Sequence, residues 1–134
     1  KERSVRLWSL VRDLPEVRSA ETVMAFDSVP GEPITAVFVA RCRAEGKVVV
    51  VPEDDPPPDP KAVDVVIVPG IAFTRDGRRL GQGGGWYDRF LADLRPGTPT
   101  VGVCFEPLLV DDVPTEAHDV RVSVVVTDTT VART

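Results

Sequence analysis

An α/β fold is predicted for this chain: a three-layer α/β/α sandwich with helices on both faces of a mainly parallel sheet. Three observations carry the prediction. Val63 to Val68 is an almost unbroken apolar strand, the pattern of a strand covered on both faces. Four valines stand in a row at 48–51 and make a second strand of that kind. Short apolar runs then alternate along the chain with stretches of helical period, as in successive strand–helix–strand units.

The elements follow from local pattern. Leu7, Leu10, Val11 and Leu14 recur at i, i+3, i+4 and i+7, the stripe of an amphipathic helix that Pro15 stops. Thr22 to Phe26 reads as a short strand. Ile34, Val37 and Phe38 mark one face of a second helix running to about Glu45, where Gly46 supplies the stop. Lys47 to Val51 is the valine strand. Residues 52–60 are dominated by Pro and Asp, cannot pack, and read as an extended connector. After Val63 to Val68 come a glycine loop and a helix from about Tyr87 to Leu94. Strands at Thr100 to Phe105 and Ser123 to Thr127 complete the series. Loops that leave the carboxyl ends of parallel strands share one rim of the sheet. The segments after Phe26, Val68 and Phe105 are therefore expected around one cleft, with Glu32, the glycine loop and Glu106 as neighbours.

Composition narrows the function classes. The 134 residues suit a single domain, 43% hydrophobic and 28% charged, with a net charge of −5. That charge argues against a nucleic-acid partner, which demands a basic face. No apolar run approaches membrane-spanning length and no signal peptide is visible, so a cytoplasmic protein with no membrane partner is expected, a monomer or a weak homodimer. Cys42 and Cys104 lie in apolar segments without metal-type spacing and read as reduced core residues. The chain does not begin with Met, and its one methionine is Met24, which suggests a trimmed or partly observed polypeptide. His118, the sole histidine, lies in an acidic EAHD run and has no recognisable nucleophile partner.

The stretch RLGQGGGWYDRFL, residues 79–91, is the most informative of the chain. Glycines at 81, 83, 84 and 85 free the backbone for positive φ and for close approach by a ligand. Successive bare N–H groups make a concave anion site, and Arg75, Arg78, Arg79 and Arg89 add charge around it. A glycine-rich surface turn is the competing reading. Two familiar phosphate motifs are excluded by spelling: Trp86 and Tyr87 follow Gly85 where a Walker loop needs Lys and Ser or Thr, and no third glycine completes a dinucleotide fingerprint.

The string VDVVIVPGIAFTRDGRRLGQGGGWYDRFL, from Val63 to Leu91, resembles the 5-formyltetrahydrofolate cyclo-ligase family, also called methenyltetrahydrofolate synthetases. Weaker similarity extends to LPEVRSAETVMAF, to Glu32 and Thr35, to GKVVVVPE and to TVGVCFEPLLVDDVPTEAHDVRV. The resemblance implies an ATP-dependent ligase of one-carbon metabolism. ATP phosphorylates the formyl oxygen of 5-formyltetrahydrofolate, the second folate nitrogen attacks the activated carbon, and phosphate leaves to give 5,10-methenyltetrahydrofolate. Arg79, Leu80, Gly81, Gln82, Gly83, Gly84, Gly85, Trp86 and Tyr87 are then expected to bind ATP, and Gln82 to Trp86 also to touch the folate. Trp86 and Tyr87 offer flat faces for a heterocycle, with core packing as the alternative for either. Arg79 and Asp88 are the implied catalytic residues, and Asp88 is also the implied Mg²⁺ ligand, with helix capping as its rival role. Glu32 matches the acid of the substrate loop, against a plain helix-terminus charge.

Several family features are expected to be missing. The chain starts after the family's basic first helix, so Lys1, Arg3 and Arg6 have no counterparts there. A proline-rich bridge stands where the family inserts a longer middle segment. Ser123 replaces the family's second metal-associated Asp, and Ile34 stands at a frequently acidic position. A non-catalytic nucleotide- or folate-binding protein of the same fold is the alternative function.

Overall fold

The computed structural model describes residues 2–134. Helix α1 (Glu2–Asp13) buries Leu7, Trp8 and Val11, and Leu14 continues its stripe. Pro15 ends that helix and opens another short one, α2 (Pro15–Arg18), because a proline at the first helical position gives up no needed N–H. The remaining predicted elements follow as β1 (Thr22–Met24), α3 (Ala36–Ala44), β2 (Val48–Val50), β3 (Val65–Val68), α4 (Trp86–Ala92), β6 (Thr100–Val103) and β7 (Val124–Val126). No helix or strand lies between β2 and β3, where the proline-rich connector runs.

Three strands lack a sequence signal. Ala72–Phe73 (β4) and Arg79–Leu80 (β5) pair as an antiparallel hairpin too short for any period to show. Val131–Arg133 (β8) is a polar edge strand, antiparallel to β7.

The main sheet has the order β2-β1-β3-β6-β7-β8, and every neighbouring pair but β7 with β8 is parallel. Side chains alternate across it with period two. Val23, Val65, Ile67, Val101, Val103, Val124 and Val126 face α1, α2 and α3, where Leu7, Trp8, Val11, Val17 and Phe38 close the layer. Met24, Val66, Val68 and Val125 face the other way, onto Phe90 and Leu91 of α4 and Phe73 of the hairpin. This is the expected three-layer α/β/α sandwich. Each fully buried valine contributes on the order of 1.5–3 kcal/mol of transfer free energy, in keeping with the wholly apolar, wholly buried span of β3.

One predicted face differs. Phe38 and Cys42 are the buried residues of α3, while Val37 is 66% and Ile34 58% exposed. The helix presents a single i, i+4 stripe to the sheet, which turns Val37 outward, and Ile34 precedes the first turn. Trp8 stacks on Phe38 with ring centroids 4.6 Å apart and donates from Nε1 to the Ile34 carbonyl at 2.7 Å, so α1 holds the start of α3 in place.

Phe73 is wholly buried and lies over Gly102 of β6 and beside Gly70. A Cβ at residue 102 would stand 2.3 Å from the Phe73 ring, and one at residue 70 would stand 3.0 Å from it. The two glycines are notches that let the hairpin seat on the sheet. Among the described residues, no helix is long and apolar enough to cross a membrane.

Two outcomes follow from this packing. Gly102→Ala overpacks the notch and lowers stability by about 1–3 kcal/mol, measured by denaturant unfolding, with ligand affinity falling as the hairpin lifts. Cys42 and Cys104 are free and buried, and burial pushes the Cys104 thiol up to about 12. Ellman's reagent therefore finds no reactive thiol in the native protein and both in guanidinium.

Candidate functional site

The direction in which strands are added to the sheet reverses between β1 and β3. From β1 the chain crosses through α3 to β2 on one side, whereas β3 leads the opposite way to β6. A crevice opens at such a switch point, outside the carboxyl ends of the strands. Here it is a cavity of about 280 Å³. Phe26 and Asp27 enter it from the end of β1, Glu53 from beyond β2, and Pro69 and Gly70 from the end of β3. Val29 and Glu32 close one wall; Arg79, Gln82, Gly83, Trp86 and Tyr87 close the other.

The glycine loop has the open geometry its composition implies. Gly83, Gly84 and Gly85 have φ of 100°, 81° and 68°, and nothing lies within 4 Å of a Cβ built on Gly83 or Gly84. Among the described residues none accepts a hydrogen bond from the amides of Gly81 to Gly85. Gly81 has another purpose: a Cβ there would stand 2.7 Å from Arg79 Nη1, so its bareness makes room for the guanidinium. Arg89, one turn into α4, donates from Nη1 to the Gly84 carbonyl at 2.7 Å and so steadies the loop.

The four arginines divide by role. Arg78 and Arg79 are adjacent on β5 and point to opposite sides. Arg78 turns out to Asp76 and Asp112 and is neutralised there. Arg79 turns into the cavity wall, donates to the Pro69 carbonyl at 3.1 Å and lies over the Tyr87 ring, 5.3 Å from its centroid. Its Nε is buried without a hydrogen-bond partner, and no carboxylate lies within ion-pair distance among the described residues. Burial pulls its pKa down and Asp88 pulls it back up, yet a guanidinium stays charged. A half-buried cation with an unmet donor can receive an anion. Arg75 is exposed and does not line the cavity, so Arg79 alone among the four supplies charge there.

Trp86 is 37% exposed, stacked on Phe90 at 5.1 Å and edge-on to Tyr87 at 5.0 Å. Tyr87 packs against the core, as its alternative reading has it, and also lines the cavity. Burial first, then Glu53, raises its pKa and keeps the hydroxyl neutral. Glu32 lines the cavity, and its Oε1 accepts from the Val29 amide at 3.0 Å. Thr35, not Glu32, is the residue at the start of α3.

Asp88 does not cap α4, whose N-cap is Gly85. Its Oδ1 accepts instead from the Val120 amide at 3.1 Å, and it does not line the cavity. Mg²⁺ takes one or two carboxylates and completes its shell with phosphate oxygens and water. Asp88 has one oxygen outside that hydrogen bond, and a single such donor fits this mode.

Glu106 is not a neighbour of Glu32. Its Oε1 accepts from the hydroxyls of Thr127, Thr129 and Thr130 at 2.5, 2.8 and 2.9 Å, which folds the loop after β6 onto the β7–β8 turn and away from the cavity. Those hydroxyls hold its pKa down. Ser123 precedes β7, at the amino end of the strands, where its hydroxyl and amide bond Thr100. A side chain there stands at the rim opposite the switch point. His118 lies on the surface with Glu116 and Asp119, their ligand atoms within 4.8 Å of one another, outside the cavity.

Asp27 and Glu53 escaped the sequence reading. Each comes just past the carboxyl end of a predicted strand, the position that the rim rule marks, and Glu53 was absorbed into the proline-rich connector.

The model of the 5-formyltetrahydrofolate cyclo-ligase family matches residues 55–128, a stretch that holds β3, the hairpin, the glycine loop, α4 and β6. The chain belongs to this family. The 5-formyltetrahydrofolate cyclo-ligase of Mycolicibacterium smegmatis is 41% identical over 64 residues, covering 48% of this chain and 33% of that protein. The Escherichia coli enzyme of the same name is 42% identical over 66 residues, 48% of this chain and 36% of that one. The match thus spans about a third of the length of these curated relatives. The solution structure of the Aquifex aeolicus 5,10-methenyltetrahydrofolate synthetase superposes with a TM-score of 0.82 at 25% identity, over 97% of this chain and 80% of that one. A Mycoplasma pneumoniae synthetase shares the fold, with a TM-score of 0.80 at 22% identity over 93% and 84% of the two chains.

Arg79→Ala is expected to weaken ADP binding about ten- to a hundredfold, the loss of one or two charge-assisted hydrogen bonds. Gly84→Val meets no protein atom but forces a branched residue to a φ of 81°, at a cost of about 1–3 kcal/mol, and sets methyl groups where phosphate would approach. Calorimetric titration with ADP and thermal unfolding separate the two effects; unchanged ADP affinity in both variants contradicts the role given to the loop.

Proposed function

We propose that the chain carries out, or forms the nucleotide-holding part of a protein that carries out, the ATP-dependent cyclisation of 5-formyltetrahydrofolate to 5,10-methenyltetrahydrofolate, with release of ADP and phosphate. The observation that carries the reading is the unpaired Arg79 guanidinium between the bare glycine loop and the cavity. The cavity falls just below the usual range for ligand pockets, which suits one ring system and leaves a phosphate chain to the open face of the loop.

The reaction asks for positioning and charge stabilisation more than for covalent help. Amides from Gly81 to Gly85 and the Arg79 guanidinium bind the phosphates and stabilise the charge that develops as the γ-phosphoryl group moves to the formyl oxygen. Leu80 contributes backbone contact in the same segment. Trp86 and the Tyr87 hydroxyl bound the ring, and Glu32 accepts from its N–H groups. Mg²⁺, held by Asp88 and phosphate oxygens, would neutralise phosphate charge. The second folate nitrogen then attacks the activated formyl carbon, the C–O bond to phosphate breaks, and the proton of that nitrogen leaves with the phosphate.

Protein mixed with ATP, Mg²⁺ and 5-formyltetrahydrofolate should show growing methenyl-folate absorbance with ADP formed in equal amount. Thermal stabilisation by either ligand without turnover assigns the chain to the binding-only alternative. Neither response rejects both.

A further inference from the structure

We propose that Asp27 and Glu53 are specificity-determining residues that reserve the switch-point cavity for a planar ring rich in N–H donors and keep phosphate out of it. The inference rests on the reading of the site given above, and it adds two residues and a division of the site into compartments.

The cavity is lined by three carboxylates, Asp27, Glu32 and Glu53, against one cation, Arg79. An excess of negative charge in a partly enclosed space repels a polyphosphate. The three acids come from three separate segments, after β1, before α3 and after β2, so the charge is a property of the fold and not of one acidic run. Glu32 already accepts one bond from the Val29 amide. Asp27 and Glu53 have neither a hydrogen bond nor an ion pair among the described residues, so their oxygens stay available to a ligand.

Their arrangement discriminates between two kinds of occupant. Three acids that gripped a metal ion would bring their oxygens together, yet the one such convergence among the described residues is Glu116, His118 and Asp119 on the surface. The oxygens of Asp27, Glu32 and Glu53 do not converge in this way; the three line the cavity from separate segments, with Trp86 and Tyr87 on the side of the glycine loop. Acceptors spaced around an aromatic-walled slot match a flat heterocycle whose amino and ring N–H groups point to several edges, as in a 2-aminopyrimidine fused to a second ring. All three acids also oppose ionisation of Tyr87, which places them within electrostatic reach of the same hydroxyl. Phosphate is left the outward amides of Gly83 to Gly85, which meet no acceptor among the described residues, and the edge of the Arg79 guanidinium beside Gly81.

The test uses the whole chain and two separate probes: pterin, which has the ring and no glutamate tail, and ADP with Mg²⁺. Asp27→Asn, Glu53→Gln and the double variant remove charge, and neither side chain has a protein partner to lose. The double variant is expected to weaken pterin binding about tenfold, with ADP affinity unchanged or improved. Pterin affinity within twofold of the parent overturns the proposal, as does a loss of ADP affinity equal to the loss for pterin, or failure of the parent chain to bind pterin. Binding of pterin that depends on these acids, without cyclisation of 5-formyltetrahydrofolate, keeps this inference and removes the cyclo-ligase reading. Cyclisation with pterin affinity indifferent to both substitutions does the reverse.

Discussion

The contact between Phe73 and the bare backbone of Gly102 holds the site together. With no side chain at residue 102, the ring sinks onto the sheet and brings the β4–β5 hairpin with it. Arg79 is paired across that hairpin with Phe73, so the depth of one side chain sets the position of the other. Gly70 and Gly81 then clear space for the guanidinium and its aliphatic stem. Three glycines at three places in the chain thus act on one arginine, and only one of them belongs to the glycine loop. Close packing of this kind has few alternatives, because a shift of an ångström forfeits much of the contact energy.

Charge in the site is ordered by subtraction. Of the arginines near the loop, Arg78 is neutralised by two aspartates and Arg89 is spent on the Gly84 carbonyl. Arg79 remains, half-buried and unpaired, against a wall of separate carboxylates. A surface ion pair is worth little, so Arg78 contributes mainly by not competing for the site. The resulting field has two signs on two sides of one loop, donors outward and acceptors inward. That polarity suits a pair of ligands of opposite character held side by side.

The sheet explains why some expected neighbours are missing. Crossing from β1 to β2 on one side and from β3 to β6 on the other leaves one crevice, and only segments that leave β1, β2 and β3 border it. The loop after β6 starts at the same rim but is drawn away by the three threonines that bind Glu106. Ser123 stands at the other end of the strands, tied to Thr100, so the residue at this position serves the β6–β7 seam in this chain.

Local chemistry by itself determined a good deal here. Valine runs announced β2 and β3, the i, i+3, i+4 stripe announced α1, and four glycines with an aromatic pair announced an open loop and its family. Those signals are short-range: period, propensity and spelling are complete within a dozen residues. Tertiary structure decided that Arg79 and not Arg78 faces the cavity, that Val37 points to solvent, that Asp88 fastens Val120 instead of capping α4, and that Asp27 and Glu53 join Glu32. Each of those outcomes depends on which distant backbone lies alongside, and no local pattern records it. The two-residue strands β4 and β5 depend on tertiary packing, β4 buried against the sheet and the half-buried β5 paired to it, which is why their position was invisible until the chain was folded.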